Sequence, residues 1–417
     1  MAAQSGGLPL VRSTLHSHGR FLRQLAGALA LLGAGMLAGC TGSNVGAVYD
    51  PNAQTGPTVP TGEVIGNGSV RVALLLPKTA NGNAGQIGQV FQNSAALALK
   101  DFQGADIQLL VKDTGATADG GRAAAQQAIS EGAEIILGPV FSQAVGGAAD
   151  VARSSGIPVI AFSSDTTNAK RGIYLLSFLP QQDVSRVVSY AASQNKRSFI
   201  AILPDNPYGA VVEASFRQSV GKAGGRIVSI TRYKVDPARG ADSQDIQAKV
   251  TGILSAAQQA DVVLIPDGGG APAFIAELLA AGGVEKSRIQ YLGSGQWDNK
   301  SILGNAALSG GWYPSPDQEG FKQFASRYRA AYGSEPPRNA TLAYDATILA
   351  AGLVRSAGPQ RFSQQVLTSR DGFLGIDGVF RFRPDGLIER GLAVYEVTGS
   401  GSRVISPAPR SFSAASY

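Results

Sequence analysis

The sequence of 417 residues is poor in the side chains on which most nucleophilic enzymes and zinc sites depend. It has one cysteine, Cys40, and two histidines, His16 and His18, all within the first 40 positions. Once positions 1–39 are removed, the chain has no histidine, and its one cysteine is its first residue. That excludes Ser-His-Asp and Cys-His nucleophilic sites, zinc sites with histidine or cysteine ligands, and structural disulfides. We therefore predict that the protein is not an enzyme and has no catalytic residue, metal or cofactor.

The chain also lacks common loop motifs of nucleotide-binding proteins and serine hydrolases. Neither a G-x-x-x-x-G-K-[ST] phosphate loop nor a G-x-S-x-G nucleophile elbow occurs. Ser193 and Lys196 have the S-x-x-K spacing of a Ser-Lys dyad, but they fall where a helix is predicted to end. A polar turn is the favoured interpretation of that spacing, and a carboxylate-based hydrolase is the least favoured function.

The positive charge of the chain is not concentrated in one place. The formal net charge is +6, with lysines and arginines scattered among acids, whereas a nucleic-acid footprint needs a basic stripe. Positions 1–39 hold three arginines and no other charge, so the remainder carries +3. We expect no nucleic-acid partner.

Positions 1–39 have the organisation of an export signal. The three arginines precede an apolar run over 25–37, which is too short to span a bilayer as a helix. The run ends in Leu37-Ala38-Gly39-Cys40, which resembles the lipobox of bacterial lipoproteins, whose cysteine is lipidated and becomes the mature N-terminus. The alternative is an ordinary signal peptide with an accidental cysteine. We predict a signal peptide over 1–39 and a lipid on Cys40 that anchors the chain to a bacterial membrane, inner or outer.

Beyond the signal, the sequence changes from a polar segment to a regular alternation. Residues 40–69 are rich in Gly, Pro, Thr and Asn, which predicts a flexible tether. From Val70, short apolar runs alternate with Ala-rich helical segments, and strands that are apolar on successive residues indicate a parallel sheet covered by helices. The alternation restarts beyond Pro180, so the sequence predicts an α/β protein of two doubly wound parallel-sheet lobes. Residues 378–397 predict a β-hairpin around a Pro-Asp-Gly turn.

Six short segments of this region occur in the order of one known family. They are 72–77, 109–113, 136–139, 157–160, 205–209 and 343–346. Together they resemble the type I periplasmic binding proteins of the leucine-binding kind, over about residues 70–397. The resemblance implies two lobes that close on a ligand, joined by three crossings near Pro180, Trp312 and Gly372. The implied boundaries are 70–181 with 313–371 for lobe I, 182–312 with 372–405 for lobe II, and 406–417 for a tail.

The resemblance also implies where a ligand binds. The family's amino-acid binders hold the ligand carboxylate with hydroxyls and backbone amides of lobe I, and the ammonium with acidic side chains. Carried over to this chain, Ser142, Ser163 and Ser164 match the hydroxyl-bearing loops, and Tyr208 matches an aromatic residue at the lobe interface. These loops follow the carboxyl ends of predicted strands, where open α/β sheets bind their ligands.

The chain departs from the family pattern at positions that matter for an amino acid. Asp165 stands where the second hydroxyl loop usually has Thr. Gln181 and Gln182 stand where an ammonium-binding Asp is expected, and Asp183 comes one position late. Gln296 follows a strand after which some members of the family carry an acid. A buried ammonium without a carboxylate partner is costly, so either Asp165 takes that role or the ligand differs.

Most of these candidate ligand-binding residues also have a simple structural explanation. Asp165 is either a ligand-binding acid or the N-cap of a short helix. Trp297 either stacks on a ligand or packs in the core or the lobe interface. Asp267 either contacts ligand or only shapes a glycine-rich turn, Tyr208 either contacts ligand or only stabilises its loop, and Ser142 begins a helix at which an anion would also be favoured.

Two functions fit these observations. The first is a lipid-anchored periplasmic receptor that closes on a small polar ligand of the amino-acid or amide class and delivers it to an ABC-type permease. The alternative is an outer-membrane lipoprotein that activates a peptidoglycan synthase through its surface, since the chain also resembles the binding-protein-like domain of penicillin-binding protein activators. The weakened amino-acid clamp and the tether favour the second function, and the family motifs from Val70 onward favour neither.

Overall fold

The computed structural model describes residues 57–236 and 238–412. The predicted signal peptide, the lipid attachment site Cys40 and most of the predicted tether lie outside these residues. In the part of the chain that the structure describes, no helix is long and apolar enough to cross a membrane.

Lobe I begins with six strands that alternate with three helices. The strands are β1 (Val64–Ile65), β2 (Val70–Leu76), β3 (Ile107–Asp113), β4 (Ile135–Leu137), β5 (Val159–Ala161) and β6 (Ile173–Leu175), and the helices are α1 (Asn83–Asp101), α2 (Ala118–Ser130) and α3 (Ser142–Ser154). The sheet has the order β1-β3-β2-β4-β5-β6 and is parallel except for β1. Its winding direction reverses at β2, so the loops after β2 and β4 diverge at a topological switch point, where ligands of such sheets bind.

The sequence of β2 shows why this sheet is buried on both faces. It reads VRVALLL, and every residue except Arg71 is buried. Val72 and Leu74 pack in the core on one face of the sheet, whereas Ala73 and Leu75 pack with the alanines of α2 and α3 on the other. A strand in such a position gains by burying apolar side chains on successive residues.

Lobe II repeats the architecture with the next segment of the chain. Its strands are β7 (Ser198–Pro204), β8 (Arg226–Tyr233), β9 (Val235–Asp236), β10 (Gly240–Ala241), β11 (Val262–Leu264), β12 (Gln290–Leu292) and β13 (Trp312–Ser315). Its helices are α4 (Pro180–Ser193), α5 (Pro207–Lys222), α6 (Ser243–Gly252), α7 (Leu254–Ala257), α8 (Ala271–Ala281) and α9 (Lys300–Leu303).

The chain then returns to lobe I and ends in lobe II. The lobe I elements are α10 (Gln318–Tyr332), α11 (Ala340–Ser356), α12 (Gln364–Leu367), β14 (Phe373–Gly375), β15 (Gly378–Phe382) and β16 (Ile388–Arg390). The last strands, β17 (Ala393–Val397) and β18 (Ser402–Ser406), complete the lobe II sheet in the order β18-β17-β13-β12-β11-β7-β8. That sheet is parallel from β13 to β8, and β17 and β18 run antiparallel. The predicted α/β class with two doubly wound lobes is confirmed.

The three crossings between the lobes lie at 176–179, 316–317 and 391–392, between the elements they join. The predicted positions near Trp312 and Gly372 are therefore wrong. Trp312 begins β13, a strand that pairs with β12 and β17 inside lobe II. Residues 373–390 belong to lobe I because Phe380, Phe382 and Ile388 complete its hydrophobic core.

Two further predictions need correction. The segment 57–69 is not part of a free tether: β1 pairs with β3, and Thr61 donates hydrogen bonds to the Glu131 carboxylate through its amide and its hydroxyl. The predicted hairpin over 378–397 is shorter than expected, since β15 pairs with β16, while Val394 and Tyr395 lie in β17 of the other lobe. Local turn chemistry predicts the hairpin turn, but it does not reveal that the next strand crosses to lobe II.

Candidate functional site

A cleft of about 730 Å³ lies between the two lobes, beside the crossings. This volume is in the range of small-molecule binding sites, roughly 300–1,000 Å³. Lobe II lines the cleft with Tyr208, Gln296 and Asp298, and lobe I lines it with Phe321 and Arg338. The cleft therefore has aromatic, acidic and basic side chains within one cavity.

Tyr208 is positioned by the loop that joins β7 to α5. Asn206 caps α5, since its side chain accepts a hydrogen bond from the Gly209 amide at 2.9 Å. A Cβ at Gly209 would lie 1.9 Å from the Pro204 carbonyl oxygen, so only glycine fits there. The hydroxyl of Tyr208 is 3.0 Å from both the Pro266 carbonyl oxygen and the Ser294 hydroxyl. Burial raises the pKa of Tyr208 to about 12, so it is protonated at neutral pH.

Gln296 lines the cleft from the short 3-10 turn after β12. The side chain of Ser294 accepts a hydrogen bond from the Gln296 amide at 3.3 Å and so caps this turn. The side chain of Gln296 lies so close to Gly268 that a Cβ there would be 2.9 Å from its Oε1 atom. The structure thus places Gln296 and Tyr208, two of the predicted residues, in the same cavity.

Trp297 does not reach the cleft, although the sequence analysis kept it as a ligand-binding candidate. Its side chain is fully buried in the core of lobe II, and its Nε1 atom donates to the Ile265 carbonyl oxygen at 3.0 Å. A Cβ at Gly293 would lie 2.1 Å from the indole ring, so the ring occupies the space that this glycine leaves. Core packing, the alternative considered above, is the role that the structure gives to Trp297.

Asp267 lies beside the cleft but does not line it. Its carboxylate accepts a hydrogen bond from the buried Tyr233 hydroxyl and another from the Gly268 amide, the latter at 2.8 Å. It borders a separate hollow of about 520 Å³ within lobe II, between the loop after β11 and the β9–β10 hairpin. The glycine-rich turn is therefore held by Asp267 itself.

The predicted hydroxyl-bearing loops of lobe I form a compact cluster. Ser142 donates to Asp165 with 2.5 Å between Oγ and Oδ2, and the Asp165 amide donates to the Ser163 hydroxyl at 3.1 Å. The same carboxylate accepts from the amide and the hydroxyl of Thr167, at 3.0 and 2.7 Å, which makes Asp165 the N-cap of the short 3-10 turn that follows. Ser164 is exposed. None of these residues lines the cleft that holds Tyr208 and Gln296.

The hydrogen bonds at Asp165 fix its charge. The hydroxyl of Ser142, followed by the hydroxyl and amide of Thr167, holds the pKa of Asp165 below its usual 3.8. Hydrogen bonds to the ionised form of a carboxyl favour that form. The loop cluster of lobe I therefore carries a negative charge at neutral pH, at the position where the family's amino-acid binders are expected to hold a carboxylate.

The sequence analysis did not propose the acid Asp183 as a site residue, although it noted it one position late. Asp183 lies in the first turn of α4 and lines the cleft. Its Oδ2 atom accepts a hydrogen bond from the Gly295 amide at 2.9 Å. Burial raises the pKa of Asp183 to about 7, against the opposite effect of that single donor.

Asp298 and Arg338 were also missed, because they come from different lobes and share no motif. Asp298 accepts hydrogen bonds from Ser315 and Gln318 at 2.9 and 2.8 Å. The Nη1 atom of Arg338 lies 3.9 Å from Oδ2 of Asp298. Its Nη2 atom lies 2.7 Å from Oδ1 of Asp377, a residue that is fully buried. The pair of Arg338 and Asp298 is thus an ionic contact from lobe I to lobe II across the cleft.

The family model described as "Periplasmic binding protein" matches residues 69–402 of this chain. The chain is a type I periplasmic binding protein. Proteins of this family bind solutes, work with ABC transporters and are not enzymes. The family implies a periplasmic location.

Several solved structures share the fold of this periplasmic binding protein. A protein of Rhodospirillum rubrum assigned as a branched-chain amino acid ABC transporter is 20% identical, with a TM-score of 0.70, covering 81% of this chain and 99% of that one. A leucine-binding protein of Thermotoga maritima is 19% identical, with a TM-score of 0.55, covering 81% and 98%. A solute-binding protein of Rhodopseudomonas palustris in complex with 3,4-dihydroxybenzoic acid is 20% identical, with a TM-score of 0.56, covering 82% and 98%.

Among curated proteins, an uncharacterized protein of Rickettsia prowazekii is 22% identical over 143 residues. The match covers 34% of this periplasmic binding protein and 38% of that relative's length.

Proposed function

We propose that this periplasmic binding protein is a lipid-anchored receptor that closes its two lobes on a small polar ligand and delivers it to an ABC-type importer. The observation that carries the proposal is the interlobe cleft of about 730 Å³, into which both lobes project polar and aromatic side chains. A ligand that contacts both lobes stabilises the closed form, because the open form lacks half of these contacts.

The charges around the cleft limit the chemistry of the ligand. A carboxylate at the loop cluster of lobe I would be repelled by the ionised Asp165, which accepts hydrogen bonds there itself. We propose that closure of the lobes brings the loop cluster, which does not line the cleft, against the ligand, where an ammonium or amide N–H group facing Asp165 is favoured. The guanidinium of Arg338, which lines the cleft, matches an acceptor or anionic group of the ligand. We therefore propose a ligand of the amino-acid or amide class that presents its nitrogen to lobe I.

The experiment is a thermal-shift series on the purified mature chain. The panel contains leucine and other amino acids, their amides, simple amines and 3,4-dihydroxybenzoate. A true ligand at 100 times its dissociation constant stabilises the native state by about 2.7 kcal/mol, so the melting temperature rises. We expect amides to give larger shifts than the corresponding free acids. The absence of any shift across the panel contradicts the receptor proposal.

A variant series locates the ligand. Asp165→Asn removes the charge from the lobe I cluster while keeping an acceptor for Thr167, and we expect it to weaken amide or amine binding and to favour free acids. Asp150→Asn, which removes the charge of an exposed aspartate on α3 of the same lobe, is the matched control, for which we expect no change in the panel. Equal shifts for wild type and Asp165→Asn contradict the proposed orientation but not the receptor itself.

The lipid anchor has its own test. Cys40→Ser removes the only site for thioether lipidation, so the chain should leave the membrane fraction and appear in the soluble periplasmic extract. Labelling with a radioactive fatty acid should be lost in the same variant. Membrane association that persists in Cys40→Ser contradicts the anchor.

One observation supports the second candidate, an activator of a peptidoglycan synthase. The polar groups that would hold an amino acid are bonded to each other, as in Ser142 with Asp165 and Tyr208 with Ser294. For an activator, binding to a synthase should survive Ser142→Ala and Asp165→Asn, because its surface makes the contact. Synthase binding that is absent in wild type, together with a ligand shift, excludes this candidate.

A further inference from the structure

A second cavity, of about 470 Å³, lies next to the crossings and outside the interlobe cleft. One wall is a polar face of α4 formed by Gln182, Ser185 and Ser189, and the opposite wall is the β15–β16 hairpin with Arg381 and Arg383. We call this cavity the hinge groove. Its walls come from both lobes.

The hinge groove is strongly cationic. Five basic side chains line it, and they are Arg186, Lys222, Arg381, Arg383 and Arg390. The one acid among the lining residues is Glu389, which forms an ion pair with Arg381 at 2.6 Å. Asp385 pairs with Arg383 at the rim at 2.5 Å. Even with both acids counted, the groove keeps an excess of three positive charges.

Arg390 is the most informative wall residue because it is only 8% exposed. Its Nε atom donates to the Ser177 carbonyl oxygen at 3.0 Å, and its guanidinium stacks on Phe178 at 4.7 Å. Its two terminal nitrogens have no hydrogen-bond partner within the described ranges. The carboxyl groups of Asp345 and Asp377 are near enough to favour the charged form of Arg390, but they accept no hydrogen bond from its terminal nitrogens. Buried donors are nearly always paired in native proteins, and these two nitrogens are available to the acceptor oxygens of a ligand.

The other basic side chains are arranged around this buried cation. Arg186 is held in place by hydrogen bonds to the Leu392 carbonyl oxygen and the Ser406 hydroxyl, at 2.7 and 2.6 Å. Lys222 ends α5 at the rim, is exposed, and forms no ion pair with an acid in the part of the chain that the structure describes. Hydroxyls of Ser185 and Ser189 on α4 add neutral donors. Guanidinium, ammonium and hydroxyl donors that converge on one cavity match the several acceptor oxygens of a phosphate group.

We propose that the hinge groove is a second binding site, which takes a small ligand carrying a phosphate group. Because the walls belong to both lobes, a phosphate there is held by lobe I through Arg383 and by lobe II through Lys222. The site is independent of the cleft that holds Tyr208 and Gln296, and its test does not require the cleft ligand.

The test is isothermal titration calorimetry on the mature chain with inorganic phosphate, at an ionic strength held constant with sodium chloride. We expect one phosphate per chain. Lys222→Gln and Arg383→Gln each remove one charged donor from an exposed rim position, and we expect each to weaken binding at least about five-fold. Lys234→Gln removes another exposed lysine, outside the groove, and should bind phosphate like wild type.

A second titration separates the two sources of phosphate. Glycerol 2-phosphate binds more tightly than inorganic phosphate if the groove takes a phosphate ester, and more weakly if it takes the free ion. Circular dichroism verifies that each variant is folded. Wild type that binds neither compound overturns the proposal, and so does phosphate binding that is unchanged in both Lys222→Gln and Arg383→Gln.

Discussion

Each lobe has an aspartate among its candidate site residues, and the two carboxyl groups behave in opposite ways. In lobe I, Asp165 accepts hydrogen bonds from Ser142 and Thr167, which hold its pKa below the ordinary value. In lobe II, Asp183 is half-buried with one donor, the Gly295 amide, and burial raises its pKa to about 7.

The difference teaches that burial and the donors around a carboxyl group, and not the residue type, set its charge. Lobe I keeps a fixed negative charge at neutral pH, whereas the acid of lobe II is about half protonated. In the proposed closed form, a ligand meets an ionised acceptor on the lobe I side and, on the lobe II side, a carboxyl group that can donate or accept. The following experiments test this contrast, in order of decreasing effect.

The largest effect should come from the hydrophobic core of lobe II. Trp297→Ala empties a fully buried site and removes the hydrogen bond to Ile265, so we expect a loss of about 3–5 kcal/mol in the free energy of unfolding, measured with urea. The control is Gln296→Ala, whose side chain lines the cleft and whose loss should change stability little. If the Trp297→Ala protein is as stable as wild type, core packing is the wrong role for Trp297, and ligand binding becomes the favoured one.

The raised pKa of Asp183 predicts a particular dependence of stability on pH. An acid whose pKa is higher in the folded than in the unfolded chain stabilises the fold fully below about pH 3.8, and this contribution is lost as the pH rises to about 7. Asp183→Asn keeps an acceptor for the Gly295 amide and cannot ionise. We expect this variant to be more stable than wild type at pH 8 by about 2 kcal/mol, a value reduced for partial solvent access.

The measurement is urea unfolding of both proteins between pH 4 and 8. Asp345 has a pKa raised in the same direction, so the wild-type curve contains both contributions, and the difference between the two proteins isolates Asp183. Parallel curves for wild type and Asp183→Asn contradict the assignment.

Much of this architecture could be predicted from local sequence patterns, because a strand that is buried on both faces is apolar along its whole length. The alternation of apolar runs and Ala-rich segments that begins at Val70 predicts β2 and the helices that cover the sheets. What local patterns miss is the lobe to which a strand belongs. β17 follows β16 almost directly in the chain, yet its Val394 pairs with Pro314 of β13, a contact between distant positions of the sequence.

The candidate site was less predictable than the fold for the same physical reason. Tyr208 was found because its loop has a recognisable motif, and Asp165 was correctly considered as an N-cap. Arg338 and Asp298 meet only when two lobes fold and approach each other, so no short segment contains their relation. Trp297 was kept as a ligand candidate because the sequence does not show on which side of its turn the indole points.

Asp165 should show the opposite pH dependence from Asp183, with a smaller effect. Its lowered pKa stabilises the fold above pH 3.8, and this contribution is lost as the pH falls through the lower folded-state value. Asp165→Ala also removes the N-cap of the 3-10 turn, so we expect a loss of about 1 kcal/mol at pH 7. Ser164→Ala, at the exposed neighbouring position, is the control. The comparison of the two acids fails if Asp165→Ala is most destabilising at acidic pH.

The smallest effect concerns the ionic contact that joins the two lobes. Asp298→Asn keeps an acceptor for Gln318, and its new amide nitrogen donates to the Ser315 hydroxyl where the carboxylate now accepts from it. The substitution removes the charge that faces Arg338 at 3.9 Å. We expect a loss of about 0.2–1 kcal/mol at low ionic strength, measured by urea unfolding. Because Arg338 stays bound to the buried Asp377, the substitution leaves the guanidinium in place and tests the interlobe contact alone. In 1 M sodium chloride, where the Debye length is about 3 Å, the difference between variant and wild type should shrink. A loss that is unchanged by salt means that Asp298 acts through its hydrogen bonds to Ser315 and Gln318, and that the two lobes are not held together by charge.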